Sequence, residues 1–129
     1  MKQETAGLLD KAGRVQKAAE ILLAAGDAEN AVGRAYYAMF HTAQALLCEQ
    51  GLTYTKHSAV HSAYGEHFAK TGRLDPKYHR WLLDAYDTRI KGDYTCDTTI
   101  APETARQIIV QAREFLAVVR NHLTPSSRT

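Results

Sequence analysis

The sequence is poor in residues that interrupt helices or cross-link chains. Its 129 residues include only 3 prolines, 8 glycines and 2 cysteines. Few Pro and Gly residues alongside many Ala and Leu residues favour helical structure. Cys48 and Cys96 cannot form a dense disulfide framework, and we interpret them as thiols in a reducing compartment. The expected location is therefore the cytoplasm.

Long apolar segments are also missing. The longest aliphatic run covers residues 21–25 (ILLAA), whereas a helix needs about 20 apolar residues to cross a bilayer. The first residues, MKQETAGLLDKAGR, lack the apolar stretch of a signal peptide. We therefore expect no membrane-spanning segment and no membrane partner.

The chain has no large excess of charge of either sign. It contains 16 Lys and Arg residues against 14 Asp and Glu residues, with a formal net charge of +2. Proteins that coat nucleic acids need a strong basic excess, so this composition excludes that class but allows a small local site. The length predicts one domain over residues 1–123, followed by a flexible tail over residues 124–129.

Apolar residues recur at intervals of three and four along most of the chain, which predicts helices rather than strands. We expect an all-α, up-and-down bundle of about five helices. In the first helix the predicted apolar stripe includes Leu8, Val15 and Leu22. Asp27 should cap the second helix, and Gly92 should end the fourth, before a loop over residues 92–101. The predicted helices cover residues 2–25, 28–50, 57–70, 76–91 and 102–123.

The second helix has two different faces. One is apolar, includes Tyr36, and predicts core packing. The other combines polar and aromatic side chains with small residues, which suits close contact with another chain or a ligand. Its members are Gly33, Arg34, Tyr37, Ala38, His41, Gln44, Ala45 and Cys48. Arg34 and His41, seven positions apart, should point the same way at a separation of about 10 Å, with Tyr37 between them.

Three segments carry a family resemblance. AENAVGRAYYAMFHTAQALLCEQGL, KHSAVHSAYGEHFAKTGRLDP and RIKGDY occur in this order in the chain. They resemble the prokaryotic HEPN family (higher eukaryotes and prokaryotes nucleotide-binding) over about residues 27–122. The resemblance implies a HEPN-type helical bundle that forms a homodimer. It also implies a minimal nucleotidyltransferase as partner, RNA or a nucleotide as ligand, and no metal or other cofactor.

Some members of this family are metal-independent ribonucleases, often toxins, with an Arg followed after four to six residues by a His. Arg89 matches the Arg, but Tyr94 stands at the position of the His. Because a phenol has a pKa of about 10, it is a poor general base at neutral pH. Arg89 and Asp93 could instead form an ion pair with Tyr94 packed beside them, or bind a phosphate or nucleotide.

Other residues offer alternative chemistry. Arg34 and His41 could hold a phosphate and move a proton, but hydrogen bonds across a dimer or to Asp93 or Asp97 are the stronger interpretation. His57 and His61 have the four-residue spacing of some metal ligands, although capping or surface roles are the stronger interpretation. Three aromatic residues of the fourth helix could stack on bases, but their spacing favours core packing: Tyr78, Trp81 and Tyr86.

Three hypotheses follow. The first is a dimeric RNA- or nucleotide-binding partner of a minimal nucleotidyltransferase, on the toxin side of a toxin–antitoxin module, which binds through Arg34, Tyr37, Arg89 and Asp93. The second is a metal-independent ribonuclease with an altered Arg-x4-Tyr motif, in which Arg89, Tyr94 and His41 are catalytic. The third is a scaffold whose only activity is self-association.

Overall fold

The computed structural model describes residues 1–94 and 100–124, and describes residues 93 and 94 by their backbone alone. Over these ranges it contains five α-helices, one π-helical turn and no strand. The elements are α1 (Gln3–Ala24), α2 (Ala28–Glu49), α3 (His57–Tyr64), a π-helical turn (Gly65–Ala69), α4 (Lys77–Tyr94) and α5 (Pro102–Leu123). The all-α class and the number of helices are confirmed. None of these helices combines the length and apolarity needed to cross a lipid bilayer.

Helix α2 is the centre of the bundle, because it packs against α1, α3, α4 and α5. Asp27 caps its first turn as expected: the side chain accepts a hydrogen bond from the Asn30 backbone N–H at 3.1 Å. Gly26 precedes it with a φ of +89°, a conformation that favours glycine. The largest fully buried side chains come from several elements and include Tyr36, Met39, Leu46, Leu47, Val60, Tyr64, Phe68, Leu82, Phe115 and Val119.

The buried stripe of α1 agrees only in part with the predicted one, which also included Ala12 and Ala19, both fully buried. Its buried residues are Thr5, Leu9, Ala12, Gln16 and Ala19, whereas the predicted members Leu8, Val15 and Leu22 are only partly buried. Small side chains on this stripe allow α1 to pack closely against α2. The stripe also includes one buried amide, Gln16, whose Nε2 donates a hydrogen bond to the Ile109 carbonyl at 2.9 Å.

Gly92 does not end α4, and that prediction was wrong. The helix continues to Tyr94, and Gly92 is buried within it. A Cβ atom at this position would lie 3.1 Å from Ile100 Cδ1 and 3.3 Å from Glu29 Cγ. The glycine therefore permits close packing rather than a turn. Of the predicted loop, residues 95–99 lie outside the described part of the chain.

The helix predicted over residues 57–70 is present to within one residue, but at Gly65 it changes from α-helix to a π-helical turn. At Gly65 a Cβ atom would lie 2.7 Å from His79 Cε1 of α4. His79 Nε2 also lies 3.1 Å from the backbone carbonyl oxygen of His61. Because Gly65 has no side chain, His79 of α4 can pack against the end of α3. This contact helps to position the histidines of α3.

The small-residue face of α2 is only partly open. Ala38 and Ala45 are completely buried within the chain itself, and the Thr42 hydroxyl donates a hydrogen bond to the Ala38 carbonyl at 2.7 Å. A Cβ atom at Gly33, in contrast, would meet nothing within 4 Å. The expectation that this whole face is open to another chain or a ligand was wrong, because its alanines belong to the core of the bundle.

Candidate functional site

Two arginines from different helices meet on one aromatic ring. The Arg34 Cζ of α2 lies 5.5 Å from the centroid of the Tyr37 ring, and the Arg89 Cζ of α4 lies 5.0 Å from it. Arg34 is exposed, while Tyr37 and Arg89 are partly exposed. Guanidinium groups at these distances are attracted to the ring by its quadrupole. The structure therefore brings together three of the residues that the sequence indicated as ligand-binding.

A buried tyrosine organises the side chains beneath this pair. Tyr36 is fully buried, and its hydroxyl oxygen lies 2.6 Å from His57 Nδ1 and 2.8 Å from His61 Nε2. Since a phenol has one proton, it donates a hydrogen bond to one imidazole and accepts an N–H bond from the other. Burial raises the pKa of Tyr36 well above its usual value. The hydroxyl therefore keeps its proton at neutral pH.

His57 is the more accessible of the two imidazoles. Its ring stacks on Phe40 at a centroid distance of 4.6 Å and lies 5.7 Å from the Tyr37 ring. His57 is partly exposed, whereas only 7% of His61 is exposed. Burial, and then the nearby charge of Arg89, lower the pKa of His57. The imidazole is consequently neutral at neutral pH.

His61 lies deeper than His57 and is also neutral. Burial lowers its pKa to about 4, with smaller contributions from His57 and His79. The Tyr86 ring of α4 lies 5.0 Å from His61 and 5.4 Å from Tyr36. These rings form a packed support that joins α2, α3 and α4 beneath the exposed arginines.

His41 lies beside this group but is held away from solvent. Its ring centroid is 5.9 Å from that of Tyr37, and only 9% of the residue is exposed. Nδ1 donates a hydrogen bond to Gln44 Oε1 at 2.9 Å, and Gln44 Nε2 in turn donates to the Tyr54 carbonyl at 3.1 Å. Burial lowers the pKa of His41. These contacts favour a packing role over the catalytic role suggested by its spacing from Arg34.

The two remaining predicted site residues lie at the end of α4. Asp93 and Tyr94 are the last residues of this helix, but their side chains lie outside the described part of the structure. The predicted ion pair of Arg89 with Asp93, and the role of Tyr94 in proton transfer, therefore stay predictions. Arg89 itself also lies 5.8 Å from the Tyr36 ring.

Four residues of this region were not among the predicted site residues: Tyr36, His57, His61 and Tyr86. In the sequence the two histidines are marked by their four-residue spacing, which is also a metal-binding pattern, and Tyr86 was considered as a base-stacking residue. In the structure one nitrogen of each imidazole instead lies against the same phenol oxygen. Among the residues that the structure describes, no group of three or more His, Cys, Asp or Glu side chains could hold a metal ion.

We call the group formed by Arg34, Tyr37, His57 and Arg89, supported by Tyr36, the cation–ring cluster. Guanidinium groups bind phosphate through paired hydrogen bonds, and aromatic rings stack on bases. A neutral imidazole can accept a proton. The cluster thus combines the chemistry for an anionic, base-containing ligand with a group that can transfer protons.

Comparisons with known proteins agree with this small helical fold. The family model described as HEPN domain matches residues 5–122, and the chain therefore belongs to the HEPN domain family. A UPF0332 protein of Gloeobacter violaceus is 36% identical over 95% of this chain and 98% of its own length. A protein of Methanocaldococcus jannaschii with the name "Putative toxin MJ0605" is 35% identical over 95% of this chain and 91% of its own length.

Proposed function

We propose that this protein is the toxin-side component of a toxin–antitoxin pair, and that it binds RNA or nucleotides through the cation–ring cluster. In this proposal it acts as a homodimer and its protein partner is a minimal nucleotidyltransferase. We infer this ligand class from the convergence of Arg34 and Arg89 on Tyr37: their Cζ atoms lie 5.5 and 5.0 Å from the ring centroid.

The chemistry of the cluster supports an RNA or nucleotide ligand. Arg forms charge-assisted, paired hydrogen bonds with phosphate oxygens, and Lys cannot reproduce this geometry. A ring beside the guanidinium groups gives a base a surface on which to stack. The small net charge of +2 means that binding depends on this local group rather than on a general attraction to polyanions.

The proposed toxin role and assembly rest on the family. The relative from Methanocaldococcus jannaschii is named as a toxin candidate, and it aligns with nearly the whole chain. Homodimers and nucleotidyltransferase partners are what the resemblance to HEPN proteins implies. Closed two-fold dimers are also the commonest homo-oligomers. Arg34 is exposed, and Gly33 beside it leaves open space in which a second subunit or a ligand can approach.

The first prediction concerns RNA affinity. Replacing Arg89 by Gln should weaken the binding of a short, fluorescently labelled single-stranded RNA by about tenfold, since one charge-assisted contact contributes about 1.5 kcal/mol or more. Arg34→Gln should act in the same direction. Fluorescence anisotropy at fixed salt concentration, with EDTA present, measures these affinities.

The matched control for Arg89 is Arg80→Gln. Arg80 is exposed on the same helix, and nine residues place it on the opposite face from Arg89. This variant should bind RNA as the wild type does. Equal weakening by all three substitutions would mean that binding is general electrostatics and would contradict the proposed site. Sedimentation of the same samples should give the mass of a dimer, and a monomer at micromolar concentration would contradict the assembly.

A second candidate function is a metal-independent ribonuclease. One observation favours it: His57 and Arg89 both lie beside the Tyr36 and Tyr37 rings. Burial and the charge of Arg89 also lower the pKa of His57, so its imidazole is neutral. A neutral base beside a phosphate-binding cation is what cleavage of RNA at its 2′-hydroxyl requires. Cleavage of tRNA in the presence of EDTA tests this candidate, and uncut tRNA at micromolar protein would exclude it.

A further inference from the structure

We propose that His57 takes the place of the missing motif histidine as the proton-transfer residue for RNA cleavage, and that Tyr36 and His61 position its ring. This inference rests on the ribonuclease candidate above. Its substrate class is RNA with a free 2′-hydroxyl beside the cleaved phosphate. The inference is based on two short contacts: the Tyr36 hydroxyl lies 2.6 Å from His57 Nδ1 and 2.8 Å from His61 Nε2.

His57 has the placement that such a residue needs. Its ring centroid lies 5.6 Å from the Tyr36 ring and 5.7 Å from the Tyr37 ring. Arg89 Cζ lies 5.8 and 5.0 Å from the same two rings. A phosphate held by Arg89 would consequently lie close to His57. His61 is too deeply buried to reach a ligand, whereas His57 is partly exposed.

The hydrogen bonds can set the tautomer of His57. If the Tyr36 hydroxyl donates its proton to His61 Nε2, its oxygen is left to accept an N–H bond from His57 Nδ1. The Nε2 atom of His57 then carries no proton and can accept one. The same bond from Nδ1–H to the phenol oxygen persists when Nε2 becomes protonated. Tyr36 and His61 would thereby orient His57 in both protonation states, as the carboxylate does in a catalytic triad.

The reaction balances without a metal. His57 Nε2 takes the proton of the ribose 2′-hydroxyl while the 2′-oxygen forms a bond to phosphorus. The bond between phosphorus and the 5′-oxygen breaks, and that oxygen takes a proton from water. The protonated His57 returns its proton to solvent, so no proton is gained or lost overall. The products are a 2′,3′-cyclic phosphate and a 5′-hydroxyl, and Arg89 pairs with the negative charge on phosphate throughout.

The surroundings of His57 keep its imidazole unprotonated, so that the ring is able to accept a proton. Tyr36, Tyr37 and His41 lie on the α2 side, and His61 lies on its own helix. From α4 come Tyr86 and Arg89. Among these groups Arg89 is a permanent cation, and it and burial both hold the pKa of His57 below its usual value.

The second prediction is loss of cleavage when His57 is changed. His57→Phe keeps a ring against Phe40 but removes both nitrogens, and cleavage of tRNA in EDTA should fall by about 100-fold or more, the usual contribution of a general base. His57→Gln is a second variant in case the first packs badly. His67→Gln, in the π-helical turn, is the control and should cleave as the wild type does. An oligonucleotide with one 2′-deoxyribose at the cleaved position should stay intact.

A positioning role for Tyr36 gives two further signatures. Tyr36→Phe should lower kcat by about tenfold, the equivalent of one hydrogen bond. It should also move the acidic limb of the pH profile to lower pH, because protonated His57 loses the acceptor of its Nδ1–H and its pKa falls. Nitrogen-15 NMR of labelled histidine should show the Nδ1–H tautomer for His57 in the wild type and not in Tyr36→Phe. A merely structural role for Tyr36 would change neither the limb nor the tautomer.

The outcomes separate this inference from the functions on which it rests. Wild-type cleavage that persists in both His57 variants, or an Nε2–H tautomer of wild-type His57, would overturn the inference and leave the ribonuclease candidate standing. RNA that binds but is not cleaved would overturn the inference together with the ribonuclease candidate, but not the RNA-binding proposal. Absence of both binding and cleavage would overturn all three.

Discussion

Acidification from pH 6.5 to pH 4 is expected to remove about 3 kcal/mol of unfolding free energy through His61 alone. The pKa of His61 is lowered from 6.5 to about 4 in the folded protein, and each tenfold change in proton affinity corresponds to about 1.4 kcal/mol. Because the unfolded chain binds the proton more tightly, stability is complete above pH 6.5 and is lost as the pH falls towards 4. Well below pH 4, where His61 is protonated in both the folded and the unfolded state, this group contributes no further change. Urea unfolding at several pH values measures the effect.

A His61→Phe variant isolates this contribution. It keeps an aromatic ring beside Tyr86 but has nothing to protonate, so its stability should depend less on pH between 6.5 and 4. The comparison is necessary because other groups with lowered pKa values also make the folded protein less stable in acid: Glu20, Asp27, His41, Glu49, His57 and Glu114. Identical pH slopes for wild type and variant would contradict the account of a buried, neutral His61.

Loss of the Tyr36 side chain is expected to have a large effect on stability. Tyr36→Ala should lower the unfolding free energy by about 4 kcal/mol, because large-to-small changes at buried aromatic residues leave a cavity. Tyr36 is fully buried and its ring lies within 6.0 Å of the Tyr37, Phe40, His57, His61 and Tyr86 rings. Tyr36→Phe, which removes only the hydroxyl, should cost about 1–2 kcal/mol. Denaturant unfolding gives both values.

Phe115→Ala is the matched control for this prediction. Phe115 is 1% exposed and packs against Tyr64 and Tyr78, so its loss should destabilise the protein by a similar amount. At a temperature where both variants are folded, however, only Tyr36→Ala should weaken RNA binding. Equal binding by the two variants would mean that Tyr36 supports the bundle without supporting the site.

Much of the fold follows from local sequence signals. The bounds of α2 and α5 were predicted to within one residue, because Asp27 and Pro102 mark the starts of these helices. Gly92 was misinterpreted because its role depends on Ile100 and Glu29, which pack against it from other parts of the chain. A glycine that permits close packing and one that ends a helix have the same local appearance.

Only part of the candidate site could be predicted from the sequence. Arg34 and Arg89 were identified from the helical face and the family motif, and they do lie on one ring, Tyr37. Tyr36 was assigned to the core, correctly, but its hydroxyl could not be connected to His57 and His61 without the packing of α3 on α2. Periodicity reveals which residues share a face of one helix and says nothing about which faces of different helices meet.

NMR titration with a short single-stranded RNA shows whether side chains of α2, α3 and α4 form the one ligand site that we propose. We predict that the side-chain resonances of Arg34, Tyr37, His57 and Arg89 shift together along one saturating curve, while the Arg80 and Arg106 resonances do not move. Shifts confined to α5, or different midpoints for the α2 and α4 arginines, would contradict the claim.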